Sequence, residues 1–159
     1  VYRYIWAPEI HQINGRWYVF FTGSVEKNNP FGIRPHILVC KEGGNPMDPA
    51  SWSVQRMEAS NGDALSFTNF SLDMTHFEAG GQHYVIWAQS VGNSSLLIAT
   101  IDPDEPWKLT SEPQVLTVPE YAWERIRFNV DEGPSVLNGT EKCICVSQPQ
   151  VPEQNTASV

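Results

Sequence analysis

An all-β chain of repeated antiparallel hairpins is predicted by three features of the sequence. The stretches APEIHQINGRWYVFFTG (7–23), DMTHFEAGGQHYVIWAQ (73–89) and EGPSVLNGTEKCICVS (132–147) share one plan. Each has an apolar run, a glycine-centred turn, then an alternating aromatic or β-branched run. The turns fall at Asn14-Gly15, Gly80-Gly81 and Asn138-Gly139, pairs that supply the positive φ a tight hairpin needs. No long stretch keeps apolar residues at i, i+3, i+4 and i+7, so no helix is predicted.

In chain order, the first hairpin gives way to a loop at EKNNPFG (26–32), marked by Asn, Pro and Gly, and to a strand at HILVCKE (36–42). The second hairpin is followed by a strand at SSLLIATID (94–102) and a loop at DPDEPW (102–107). Gly15 to Gly81 spans 66 residues and Gly81 to Gly139 spans 58. A hairpin-built period near 60 leaves room for about four strands per repeat, the size of a propeller blade. The 159 residues then make between two and three blades, whereas a closed propeller has at least four, so a piece of a longer protein is expected. Residues 1–146 are read as a partial propeller domain. The final SQPQVPEQNTASV (147–159) is Pro-rich and polar, and is read as a disordered tail.

Composition narrows the partner. A net charge of −8 leaves too little Lys and Arg to neutralise phosphates, which excludes nucleic acid. No apolar run approaches the roughly 20 residues that span a bilayer, so no membrane partner is expected. Six Trp and 11% aromatic residues suit a neutral polar ligand, sugars foremost, whose C–H faces stack on rings. Cys40, Cys143 and Cys145 are read as buried free thiols, and the four histidines lack metal-ligand spacing; no metal or cofactor is expected. Sequons at Asn69, Asn93 and Asn138 are compatible with secretion, and the absence of Met before Val1-Tyr2-Arg3 suggests that the true N-terminus lies elsewhere.

Two acids stand out. Asp73 lies eight residues before Gly81 and Glu132 seven before Gly139, placing both at the start of a hairpin's first strand in successive repeats. First strands line a propeller's channel, so these carboxylates are expected to converge at one mouth, as glycoside hydrolysis requires. Asp131 is read as an exposed turn residue, and Glu9 as a structural acid bonding backbone amides. Gly133 is read as letting backbone and sugar come close.

WAPEIHQINGRWYVFFTG, LDMTHFEAGGQHYVIWAQ and VDEGPSVLNG together resemble three signatures of family 43 glycoside hydrolases, five-bladed β-propeller enzymes acting on plant cell-wall arabinan and xylan. YAWERIRFNVDEGPSV most resembles the branch of α-L-arabinofuranosidases that includes exo-1,5-acting enzymes. Glu-Gly-Pro at 132–134 differs from the Glu-Cys-Pro of the sister propellers that cleave fructosides. The resemblance implies Glu132 as general acid, Asp73 as the carboxylate that orients it and raises its pKa, and Trp6 as a sugar-lining aromatic. Trp123 is a second candidate for that aromatic role. It further implies an extracellular protein acting on arabinose-containing plant cell-wall polysaccharide or oligosaccharide, with inversion at the anomeric carbon. The family's general base is an Asp upstream of the WAPE motif; no acid precedes Trp6 here, so the base is absent from this chain. A truncated or misassembled gene model is therefore expected, and this chain alone is expected to be inactive. The other readings are a non-catalytic carbohydrate-binding propeller fragment, a β-xylosidase of the same family, and a structural propeller whose acids are only turn residues.

Overall fold

The computed structural model describes residues 1, 3–126, 128–138 and 143–148, and within them the chain forms three antiparallel sheets. The first joins β1 (Trp6–Ile13), β2 (Arg16–Ser24), β3 (Ile33–Cys40) and β4 (Trp52–Arg56) in that order. The second repeats it with β5 (Ser71–Ala79), β6 (Gln82–Ser90), β7 (Ser94–Thr100) and β8 (Gln114–Thr117). The third consists of β9 (Glu132–Asn138) and β10 (Cys143–Gln148). Two short 3-10 turns, Pro49–Ser51 and Ala122–Arg125, are the helical segments among the described residues. The predicted hairpins and intervening strands are therefore present. β10 includes Ser147 and Gln148, two residues beyond the predicted domain boundary, and 149–159 lie outside the described residues.

The first two hairpins close on two-residue turns, since Ile13 pairs with Arg16 and Ala79 with Gln82. Asn14, Gly15, Gly80 and Gly81 all have positive φ there, as the turn chemistry demands. In the third, Asn138 is a strand residue paired with Cys143, and the turn expected at Asn138-Gly139 falls on residues 139–142, which lie outside the described residues.

The second sheet packs between the first and the third, so its middle strands are apolar on both faces. One core layer, with Tyr18, Phe20, Ile37, Val85, Trp87 and Leu97, lies between the first and second sheets. A second, with Ile33, Leu72, Ile86, Ala88 and Leu96, reaches Val136 and Cys145 of the third. Cys40 is a buried free thiol as predicted; Cys145 is free but half-buried, because β9 and β10 have one covered face, while Leu137, Ile144 and Val146 on the other are exposed.

Between β1 and β5 runs a row of histidines. The His11 ring meets His76 edge-on at 5.4 Å, Phe20 stacks on His76 at 6.2 Å, and His76 Nε2 lies 3.0 Å from His83 Nδ1. Burial first, then the neighbouring His11 and His83, push the His76 pKa down to about 3, so this ring is neutral and packs as an aromatic.

Candidate active site

Each hairpin's first strand carries the same irregularity, and it aims the site. Pairing slips between Trp6 and Glu9 in β1, between Leu72 and Thr75 in β5, and opposite Val146 and Gln148 in β9. At each slip one residue turns left-handed: Ala7 (φ +46°), Asp73 (+53°) and Gly133 (+58°). These are β-bulges, which re-aim side chains at strand starts. Asp tolerates this conformation better than most residues, and Gly adopts it freely.

The bulges set the equivalences between repeats. Trp6, Leu72 and Glu132 pair across their hairpins with Thr22, Ala88 and Gln148, so they occupy one structural position, and Ala7, Asp73 and Gly133 the next. The repeat steps are thus 66 and 60 residues rather than 66 and 58. Asp73 and Glu132 are not at equivalent places, as the turn glycines suggested; they are one position apart. That offset is what lets them meet. The left-handed Gly133 points its N–H at the neighbouring sheet, where it donates to Asp73 Oδ2 at 3.0 Å. A side chain at Gly133 would also lie 2.9 Å from Gln148 Nε2. Glycine is thus favoured here by its φ and by the closeness of Gln148.

Both carboxylates sit half-buried and both have raised pKa values. For Glu132 burial is the main cause and the Asp73 charge adds to it; for Asp73 burial leads, opposed by the Gly133 N–H and reinforced by Glu9. The expectation that Asp73 raises the Glu132 pKa thus gains a larger partner, desolvation.

A cavity of about 690 Å³ opens over the pair, a volume typical of small-molecule sites. Asp73 and Glu132 line it with Trp6, Phe70, Leu72 and Val130, and Asn93, Ser94 and Asn129 supply polar groups. The segment before Glu132 is tied to the second sheet, Ser94 N–H donating to Asn129 O and Asp131 N–H to Ser94 O. Sequence reasoning placed Trp6, Asp73 and Glu132 here and missed Phe31, Phe70 and Asn93. An aromatic ring in the polar EKNNPFG loop was the legible signal for Phe31.

Other candidates fall elsewhere. Trp123 does not line this cavity; it lies in the second 3-10 turn, half-exposed, stacked on Tyr121 at 4.4 Å. Asp131, expected at the surface, is 2% exposed. Its Oδ2 accepts the Thr117 hydroxyl at 2.7 Å, and burial, with Glu124 and Glu120 nearby, holds its pKa above the ordinary value. Glu9 bonds side chains rather than backbone amides: burial raises its pKa, but hydrogen bonds from His11 (3.1 Å) and Thr75 outweigh that and leave it lowered. Among the described residues no group of three His, Cys, Asp or Glu is placed to hold a metal ion.

The sequence profile described as Glycosyl hydrolases family 43 matches residues 2–151. The chain is 38% identical over 138 residues to alpha-L-arabinofuranosidase 43 of Humicola insolens, an alignment covering 84% of this chain and 26% of that protein. It is 35% identical over 140 residues to the extracellular exo-alpha-(1->5)-L-arabinofuranosidase of Streptomyces chartreusis, covering 84% of this chain and 39% of the relative. Among solved structures, the alpha-L-arabinofuranosidase of Lactobacillus brevis superposes with a TM-score of 0.79 at 36% identity, over 92% of this chain and 45% of that one. A thermostable family-43 glycoside hydrolase at 18% identity shares the fold, with a TM-score of 0.67 over 92% of this chain and 46% of its own. The chain thus spans from about a quarter to under half the length of these relatives.

Proposed function

Because the chain belongs to glycosyl hydrolases family 43, we propose that it is the acid-bearing part of an inverting α-L-arabinofuranosidase acting on arabinose-containing plant cell-wall polysaccharide. The observation that carries the reading is the meeting of Glu132 and Asp73 in one sugar-sized cavity beside Trp6, with both carboxyls pushed above their ordinary pKa. An acid kept protonated to higher pH than an ordinary glutamate can give its proton to the glycosidic oxygen as the bond breaks. Burial keeps it so and the Asp73 charge adds to it, Asp73 being itself held by the Gly133 N–H. The sugar's C–H face rests on Trp6. Inversion needs a second carboxylate about 6.5–9.5 Å from the acid to activate water on the opposite face. That base comes from polypeptide outside this chain, in a protein that closes five blades and is secreted, as the word extracellular in the Streptomyces relative's name supports. The names of the relatives favour arabinose over xylose at the cleaved end.

Asp73→Asn, made in the protein carrying all its blades, tests the role of the pair. Activity needs protonated Glu132, so it falls as pH rises through the Glu132 pKa. Removing the Asp73 charge lowers that pKa, and the alkaline limb of the kcat/KM profile moves to lower pH. A limb that stays in place, or moves up, refutes the assignment.

A further inference from the structure

A ring beyond the catalytic pair remains without a role. Phe31, at the tip of the loop between β2 and β3, lines the same cavity and is 72% exposed, so core packing does not account for it. Phe31 lies 5.9 Å from Phe70, which lies 6.5 Å from Trp6. The three rings form a row from the inner strand outwards, Trp6 itself being 39% exposed.

The loop that carries Phe31 is built to hold it. The Phe31 N–H donates to Asn29 Oδ1 at 2.9 Å, and Asn29 Nδ2 donates to Glu26 Oε2 at 2.8 Å. The Ser24 hydroxyl, at the end of β2, lies within hydrogen-bond distance of the Glu26 and Asn29 carbonyls, at 2.6 and 3.0 Å. Val25 N–H closes the loop onto Gly32 O at 3.1 Å. Below it, Arg34 donates to Thr68 O at 3.0 Å, tying the end of the loop to the segment that bears Phe70. An exposed ring on a loop so cross-linked is preorganised to bind, which lowers the entropic cost of stacking a ligand on it.

We propose that Phe31, with Phe70, is a specificity-determining platform for a second sugar unit, the one adjoining the unit held beside Glu132 and Trp6. The inference rests on the glycosidase reading and deepens it: the cavity selects oligosaccharides over single sugars. Trp6 and Glu132 line the same cavity, so the unit at the acid lies against Trp6. The next unit along the chain falls on the following rings of the row. Their apolar faces take its C–H face, while Asn93 and Asn129, which line the same cavity, exchange hydrogen bonds with its hydroxyls.

The test is calorimetric binding of L-arabinose and of α-1,5-linked arabinotriose to the Glu132→Gln protein carrying all its blades, which cleaves the trisaccharide too slowly to disturb the titration, alone and combined with Phe31→Ala or Phe31→Trp. The Glu132→Gln parent binds the trisaccharide more tightly than the monosaccharide. Adding Phe31→Ala lowers that ratio by about tenfold, the scale of one lost aromatic contact, and Phe31→Trp in its place restores it. A parent that binds both sugars, with a ratio that Phe31→Ala leaves intact, overturns the Phe31 assignment alone. A parent that binds neither sugar overturns the glycosidase reading and this inference with it.

Discussion

Glu132→Gln, in the protein carrying all its blades, reduces cleavage of natural arabinan by about 10²–10⁴-fold, the usual contribution of a general acid. It reduces cleavage of aryl arabinosides with good leaving groups far less. The split follows from what the proton does. An alkoxide leaving from a sugar chain needs protonation as the bond breaks, whereas a stabilised phenolate does not. Glutamine keeps the size and hydrogen-bonding edge of the side chain, so the cavity beside Trp6 and Asp73 is preserved. Stability serves as a control. The raised Glu132 pKa contributes stability that is present below the unfolded value and lost as pH rises through the folded one. At neutral pH the wild-type carboxylate is therefore a burden, and its replacement does not unfold the protein. Equal losses on both substrate types would remove Glu132 from the acid's role.

Gln89→Leu lowers folding stability by about 2–6 kcal/mol, from two buried donors orphaned at about 1–3 kcal/mol each. Gln89 is fully buried near the end of β6, and its amide holds the segment leading into β5. Its Oε1 accepts the Phe67 N–H at 2.9 Å, the Trp87 indole N–H at 3.0 Å and the Ser71 hydroxyl at 3.0 Å, and its Nε2 donates to Leu65 O at 2.7 Å. Leucine fills similar space but satisfies none of these groups. Phe67, itself left-handed at φ +61°, is held in place by that bond, in the turn that leads into β5 and its bulge at Asp73. Chemical denaturation reads the loss. A variant within roughly 0.5 kcal/mol of wild type would mean that the Phe67 and Trp87 donors find other partners.

The hairpins were legible because turn chemistry and alternation are local. Asn14-Gly15 and Gly80-Gly81 announce their turns, and the runs beside them announce β2 and β6. The bulges were not legible. Ala7 and Asp73 are ordinary residues in left-handed backbone, and nothing in an apolar pattern marks an added residue in a strand. That hidden residue, together with an Asn138 that belongs to a strand, put the two acids in register by sequence when they lie one position apart. The convergence of Asp73 and Glu132 survived because both positions open on the same cavity. Asp131 was misread because its partner, Thr117, comes from the edge strand β8. Trp123 was misread because an aromatic residue beside a motif need not share its face: the second 3-10 turn carries it away from the cavity to stack on Tyr121.

The central claim is that Glu132 is an acid kept protonated by burial and by Asp73. It is tested most directly by following the Glu132 side-chain carboxyl carbon by NMR as a function of pH, in the wild type and in Asp73→Asn. The account predicts a midpoint above the ordinary glutamate value of 4.5 in the wild type, and a lower midpoint once the Asp73 charge is gone. A wild-type midpoint at or below 4.5, or one that Asp73→Asn leaves unmoved, would contradict it.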